Sequence, residues 1–158
     1  SAFNKKVYDY IINYKGTNLQ ADFQPYLKEE FKKLTQDQGL TETQIDEFVA
    51  QQIRSVTSPW YVYFLKFNPD LYWSKIKIPV LALNGSLDMQ VKATENLAGI
   101  QASLAKAGNK KATIKELPGL NHLFQEAKIG STAEYSTIEQ TIAPLVLDTM
   151  SIWILGLK

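Results

Sequence analysis

The sequence predicts an α/β fold in which a run of helices precedes a strand-helix-strand-helix segment with parallel strands. Three observations predict it. Val80-Leu81-Ala82-Leu83 is a short apolar run between Pro79 and the turn residues Asn84-Gly85, the pattern of a strand buried on both faces in a parallel sheet. Ala112 to Leu117 is a second run, alternating polar with less polar residues, as expected of a strand near a partly wet sheet edge. Between them, Leu97, Ile100 and Leu104 share one helical face, enough for a crossover helix.

The elements follow in order. Phe3, Val7, Tyr10, Ile11 and Tyr14 stand at helical spacing over residues 3–15, with Gly16 as the stop. Asp22 is placed to cap a second helix, whose Phe23, Leu27, Phe31 and Leu34 face one way before Gln38-Gly39. Thr41-Glu42-Thr43-Gln44 has the form of a capping box ahead of Ile45, Phe48, Val49, Ile53 and Val56. Ser58-Pro59 sets a cap and a first-turn proline for an aromatic segment, and Asn68-Pro69 repeats the device for a short helix. The composition shift near residue 58 divides the chain into a helical segment, 1–57, and an α/β segment, 58–158.

Past the first strand, Thr94 is the expected cap of the crossover helix, and Gly108 follows its end. Pro118-Gly119 closes the second strand, and Gly130-Ser131-Thr132 marks a surface loop. Pro144 opens a last helix, where Leu145, Val146, Met150, Trp153, Ile154 and Leu157 form a broad apolar face to pack on the sheet.

Composition narrows the partners. The 158 residues are 45% hydrophobic and 11% aromatic, sufficient for a core. A net charge of +1 from 17 basic and 16 acidic residues gives nucleic acid no electrostatic footing. The basic pairs Lys5-Lys6, Lys32-Lys33 and Lys110-Lys111 suit solvated faces. With no cysteine, disulfides, thiolate metal sites and a cysteine nucleophile are excluded, and a single histidine excludes a multi-histidine zinc centre. No apolar run approaches the roughly 18 residues of a membrane span, and no cofactor is expected.

The chemistry gathers at two turns. Asp88 lies just past the C-terminal end of the first strand, and His122, the only histidine, lies just past the second. In open α/β sheets that edge collects ligand and catalytic groups. Imidazole can act as base and then acid for a hydroxyl nucleophile, and a carboxylate beside it selects the required tautomer. Asp70, Glu95, Glu126 and Asp148 are rival acids, but none follows a buried strand. Trp60, Tyr63, Phe64 and Phe124 are candidates to line an acyl or aryl pocket. A core role, joining the helices to the sheet, is the favoured reading of each.

From about Asn68 onward, the chain resembles the C-terminal part of the serine α/β-hydrolase family, particularly its bacterial esterase and related peptidase branches. The likeness is carried by Ile78-Pro79-Val80-Leu81-Ala82-Leu83-Asn84-Gly85, Asp88-Met89-Gln90-Val91 and Leu117-Pro118-Gly119-Leu120-Asn121-His122-Leu123-Phe124-Gln125. Glu134-Tyr135, Thr141-Ile142-Ala143-Pro144 and Ile152-Trp153-Ile154 extend it. The resemblance implies a partial α/β-hydrolase fold with a helical cap over residues 1–57, Asp88 and His122 as the last two members of a Ser…Asp…His triad, and a small-molecule ester as substrate. No Gly-x-Ser-x-Gly occurs among these residues. The nucleophile is therefore expected outside them, and the chain alone is expected to be inactive.

A second reading makes the chain a binding or assembly module in which Asp88 and His122 are relics. Two strands are too few to be stable without packing. The unpaired edge and uncovered apolar faces are expected to be met by another copy, by the first half of a parent chain or by refolded helices, with self-association through strand edges the favoured outcome.

Overall fold

Side chains able to take up the free N–H groups of a first helical turn decide where the helices of the N-terminal region begin. The computed structural model describes residues 2–157, and the chain divides into two units between Asn68 and Pro69. In the first unit, α1 is Ala2–Asn13. It ends short of Gly16 because Tyr14 turns away, its hydroxyl accepting from the Asn18 amide at 2.9 Å and donating to Asp22 at 2.6 Å. Helix α2, Leu19–Leu34, is capped by Asn18 rather than by Asp22, with Asn18 Oδ1 accepting from the Ala21 amide at 3.2 Å. Asp22 falls in the first turn instead, where its charge complements the helix dipole. Helix α2 also tolerates Pro25 within its length.

The capping box before α3, Glu42–Val56, is closed in both directions: the Gln44 amide donates to Thr41 Oγ1 at 3.3 Å, and the Thr41 amide donates to Gln44 Oε1 at 2.9 Å. Helix α4, Pro59–Lys66, begins with Ser58 accepting from the Tyr61 amide at 3.3 Å. It packs against α1 and α3 and so belongs to the first unit, whereas the composition shift marks the line after residue 57. Val7, Ile11, Phe23, Leu27, Ile45, Val49 and Ile53 form the core of this unit. Each fully buried side chain contributes about 2 kcal/mol. The Phe31 and Phe48 rings stack at 3.7 Å beside that core. Glu30 is nearly buried, and its bonds to Lys6 and then Lys33 hold its carboxyl below the ordinary carboxylate value.

In the second unit, α5 is Asp70–Trp73, with Pro69 in the cap position and no side-chain cap bond, so the device of Ser58-Pro59 is not repeated there. Strand β1, Val80–Gly85, pairs in parallel with β2, Ala112–Leu117, in the register Val80 to Ala112 through Gly85 to Leu117. The crossover helix α6, Ala93–Lys106, starts one residue before the expected cap Thr94, after Lys92 and without a side-chain cap. Its C-terminus is a Schellman motif: Gly108, at φ +66°, donates to Ala105, and Asn109 donates to Leu104.

Side-chain alternation divides the two faces of the sheet. Ala82 and Ile114 pack with Ala93, Leu97 and Ile100 of α6. Leu83 and Leu117 turn the other way toward Val146 of α7, Pro144–Leu155, and Trp153 Nε1 donates to Thr113 Oγ1 at 3.2 Å. Helix α7 reaches the sheet with only part of its apolar surface, since Leu145, Leu147, Met150, Ile152, Ile154 and Leu155 are exposed. Leu81 and Leu83 on that face are therefore only half-buried, and Val80 at the start of the strand is half-buried too, short of the two-sided burial expected of β1. They line an apolar groove of about 710 Å³ with Trp73, Ile76 and Met150.

The loop from Leu123 to Ala143 contains a 3₁₀ turn, Thr132–Thr137. Gly130, expected on the surface, is buried at φ +77°, because a side chain there would strike the Leu87 carbonyl.

Gly85 sets a sharper test of the packing. A Cβ at that position would collide with the Leu120 carbonyl and lie 2.7 Å from the Asn121 carbonyl, both in the backbone of the histidine loop. Gly85→Ala should cost about 2–3 kcal/mol of stability in urea unfolding. A change within about 0.5 kcal/mol would contradict this seating of the loop on the strand.

Candidate active site

The turn after β1 is built so that a carboxylate meets N–H groups as soon as it leaves the strand. The Asp88 amide donates to the Gly85 carbonyl at 3.2 Å, closing a tight turn. Asp88 Oδ1 then accepts from the amides of Gln90 and Val91 at 2.9 and 2.8 Å, as Asp side chains do when they organise the residues that follow. Oδ2 accepts from Asn84 Nδ2 at 3.1 Å and faces His122 Nδ1 at 2.9 Å. Four donors saturate the acceptor capacity of one carboxylate. The Asp88 side chain is only 6% exposed.

A separate device presents His122. The loop after β2 folds back through an antiparallel bridge between Leu120 and Glu126, and the Leu87 amide donates to the Leu120 carbonyl at 2.9 Å. Inside the loop, Asn121 is fully buried. Its Oδ1 accepts from the Leu123 and Gln125 amides, each at 2.9 Å, and its Nδ2 donates to Gln125 Oε1 at 2.9 Å. Phe124 takes φ +57° to close this turn, a conformation that costs a non-glycine residue roughly 1 kcal/mol or more. The imidazole is held at the rim, 38% exposed, and Nε2 has no hydrogen-bond partner among the described residues.

Burial pushes the Asp88 carboxyl up, but the Val91 amide, the His122 ring and the Gln90 amide outweigh it and hold the carboxyl below its ordinary value. Asp88 accepts at all four of its contacts, so the proton between it and His122 belongs on Nδ1 of the imidazole. In the neutral ring with its proton on Nδ1, Nε2 carries the lone pair and can accept a proton from a group brought against it.

The structure brings Asp88 and His122 into contact at the C-terminal ends of adjacent parallel strands. Of the four aromatics, Trp60, Tyr63 and Phe64 lie on α4 in the first unit and are strongly exposed, while Phe124 packs with Leu117, Leu120 and Val146 in the second and lines the apolar groove. Asp88 and His122 do not line that groove. Ser86 Oγ accepts from the Gly119 amide at 2.9 Å, a loop-pinning role. The rival acid Asp70 is taken by Ser103 and Lys106. Among the described residues, no cluster of three His, Asp or Glu side chains could hold a metal ion. Asn84 and Asn121 bond to the two turns and do not stand out by residue type in the sequence. Their signal was faint, a polar residue at a strand end and another beside the histidine. No known protein family, curated protein or solved structure matches the chain.

A carboxyl held lower in the folded than in the unfolded chain stabilises the fold above its unfolded value, near about 4. That contribution is lost as pH falls through the folded value. Asp88→Ala should therefore cost about 3 kcal/mol in urea unfolding at pH 7, and the gap from wild type should narrow below about pH 4. A gap independent of pH would contradict a charged, bonded Asp88.

Proposed function

We propose that this chain supplies the acid and base of a serine hydrolase that cleaves a small-molecule carboxylic ester through an acyl-enzyme. The nucleophilic serine and the oxyanion donors are contributed by residues outside these 158. The single observation carrying the reading is the 2.9 Å contact between Asp88 Oδ2 and His122 Nδ1 at neighbouring strand ends, with Nε2 left open. The paired motifs around Asp88 and His122, in the order acid then histidine, support it.

In this mechanism, His122 Nε2 takes the proton of the serine hydroxyl as its oxygen bonds to the ester carbonyl carbon. Asp88 stabilises the imidazolium that forms and keeps Nδ1 protonated. The imidazolium then delivers the Nε2 proton to the leaving alcohol as the ester C–O bond breaks. Water repeats the sequence on the acyl-enzyme, giving the acid and restoring the serine. No cofactor enters either half.

A second reading, assembly without catalysis, is favoured by a different observation. The backbone groups of Val80, Ala82 and Asn84 face β2, which leaves those of Leu81 and Leu83 on the open edge beside the apolar groove. Open edges of this kind recruit other strands. On this reading the isolated chain self-associates, and light scattering coupled to size exclusion should give a mass above 17.9 kDa that rises with concentration. A monomer at all concentrations would remove self-association as the form of that assembly.

For the catalytic reading, short p-nitrophenyl esters are the probe. A longer polypeptide that includes the nucleophile should hydrolyse them, and His122→Ala should lower kcat at least ~10³-fold. The 158-residue chain alone should show no turnover. Turnover by the isolated chain that depends on His122, or an unaffected His122→Ala variant of the longer polypeptide, would overturn the proposal.

A further inference from the structure

Asn84 sits near the end of β1 with its side chain 4% exposed as a residue, and every polar atom of that side chain is engaged. Nδ2 donates to Asp88 Oδ2 and to the Val91 carbonyl, each at 3.1 Å. Oδ1 accepts from Asn96 Nδ2, on α6, at 2.9 Å. The orientation of the amide follows from chemistry: a carboxylate and a carbonyl only accept, so they select the NH₂ end of Asn84. Its oxygen is thereby left to a donor. Asn96 is that donor, and it makes no hydrogen bond to Asp88.

We infer that Asn96 and Asn84 are positioning residues, a two-amide relay that orients the Asp88 carboxylate and through it keeps His122 in the Nδ1–H tautomer. The inference rests on the acid–base reading of the Asp88–His122 pair and extends it to the face of the sheet covered by α6. A flip of Asn84 would set its oxygen against Asp88 Oδ2 and the Val91 carbonyl and its NH₂ group against the Asn96 donor, so the acceptors on one side and the donor on the other select the same orientation. A carboxylate turned away from His122 no longer selects the tautomer, and free imidazole prefers its proton on the other nitrogen.

The reversal of a single hydrogen bond tests this. Asn96→Asp preserves size but replaces the donor with an acceptor, so it favours the flipped Asn84. Asn96→Ala only deletes the donor, and the pull of Asp88 and Val91 on the Asn84 NH₂ group remains. His122 is the only histidine, so nitrogen-15 NMR of the imidazole in the whole chain reads its tautomer without ambiguity. At a pH where His122 is neutral, Asn96→Asp should lower the ratio of Nδ1–H to Nε2–H about tenfold, while Asn96→Ala should change it less than about twofold. No change in either variant, or equal changes in both, would overturn the relay, because a merely structural Asn96 would not distinguish them.

The wild-type spectrum separates the two levels of the argument. If wild-type His122 lacks the Nδ1–H tautomer, the acid–base reading and the relay fall together. If the wild type has it and Asn96→Asp keeps it, only the relay falls. Should Asn96→Asp not fold, the wild-type Asn84 side-chain protons remain as a test. They should exchange with solvent far more slowly than those of a solvated asparagine, and exchange at the solvated rate would overturn the relay.

Discussion

A carboxylate removed from water has to find N–H groups enough to replace it, and the second unit is arranged around that requirement at Asp88. Leaving such a charge unpaired would cost several kcal/mol, comparable with the stability of a small domain. The donors come from three places: Asn84 at the end of β1, the Gln90 and Val91 amides in the turn, and His122 in the loop beyond β2. They converge only if β1 and β2 hold their parallel register. A slip of one residue would send Asn84 to the opposite face of the sheet.

The loops are fitted to that convergence. Close approach of the histidine loop to the end of β1 leaves no room for a side chain at Gly85. Asn121 fills the inside of the loop and supplies the acceptor that its own backbone amides need. The segment beyond is pinned by Glu134, whose carboxylate accepts from the Gly130 amide at 2.7 Å and more weakly from the Lys128 and Ile129 amides. Gln90 reaches the same segment, donating to the Tyr135 hydroxyl at 2.7 Å. The turn that holds the acid is thus tied to two loops, while the imidazole keeps one nitrogen at the rim. This is a preorganised arrangement of the kind proton transfer needs.

Much of this architecture was legible in local patterns. Thr41 with Gln44, Ser58 with Pro59, and the alternation through Ala112 to Leu117 each act over a few residues, so the residues themselves decide the outcome. Features set by long-range contact were not legible. Asp22 and Asn18 are both good caps, and the bond from Tyr14 settles which one the chain uses. Thr94 is a good cap, yet the helix begins at Ala93, directly after a turn in which Asp88 holds the Val91 amide. Gly130 looked like a surface residue until the loop closed over Leu87. Asn84 stood in the sequence as an ordinary turn residue. Its role depends on Asn96 and Asp88 arriving from other elements.

A proton on His122 Nδ1, donated to Asp88 Oδ2, is what joins the two turns at the strand ends. The most direct measurement is of that proton itself, followed by NMR in the wild-type chain and in Asp88→Asn. The account predicts a low-field, slowly exchanging Nδ1 proton in the wild type that is lost when Asp88 becomes an amide. A wild-type spectrum without that proton, or one that Asp88→Asn leaves unchanged, would contradict it.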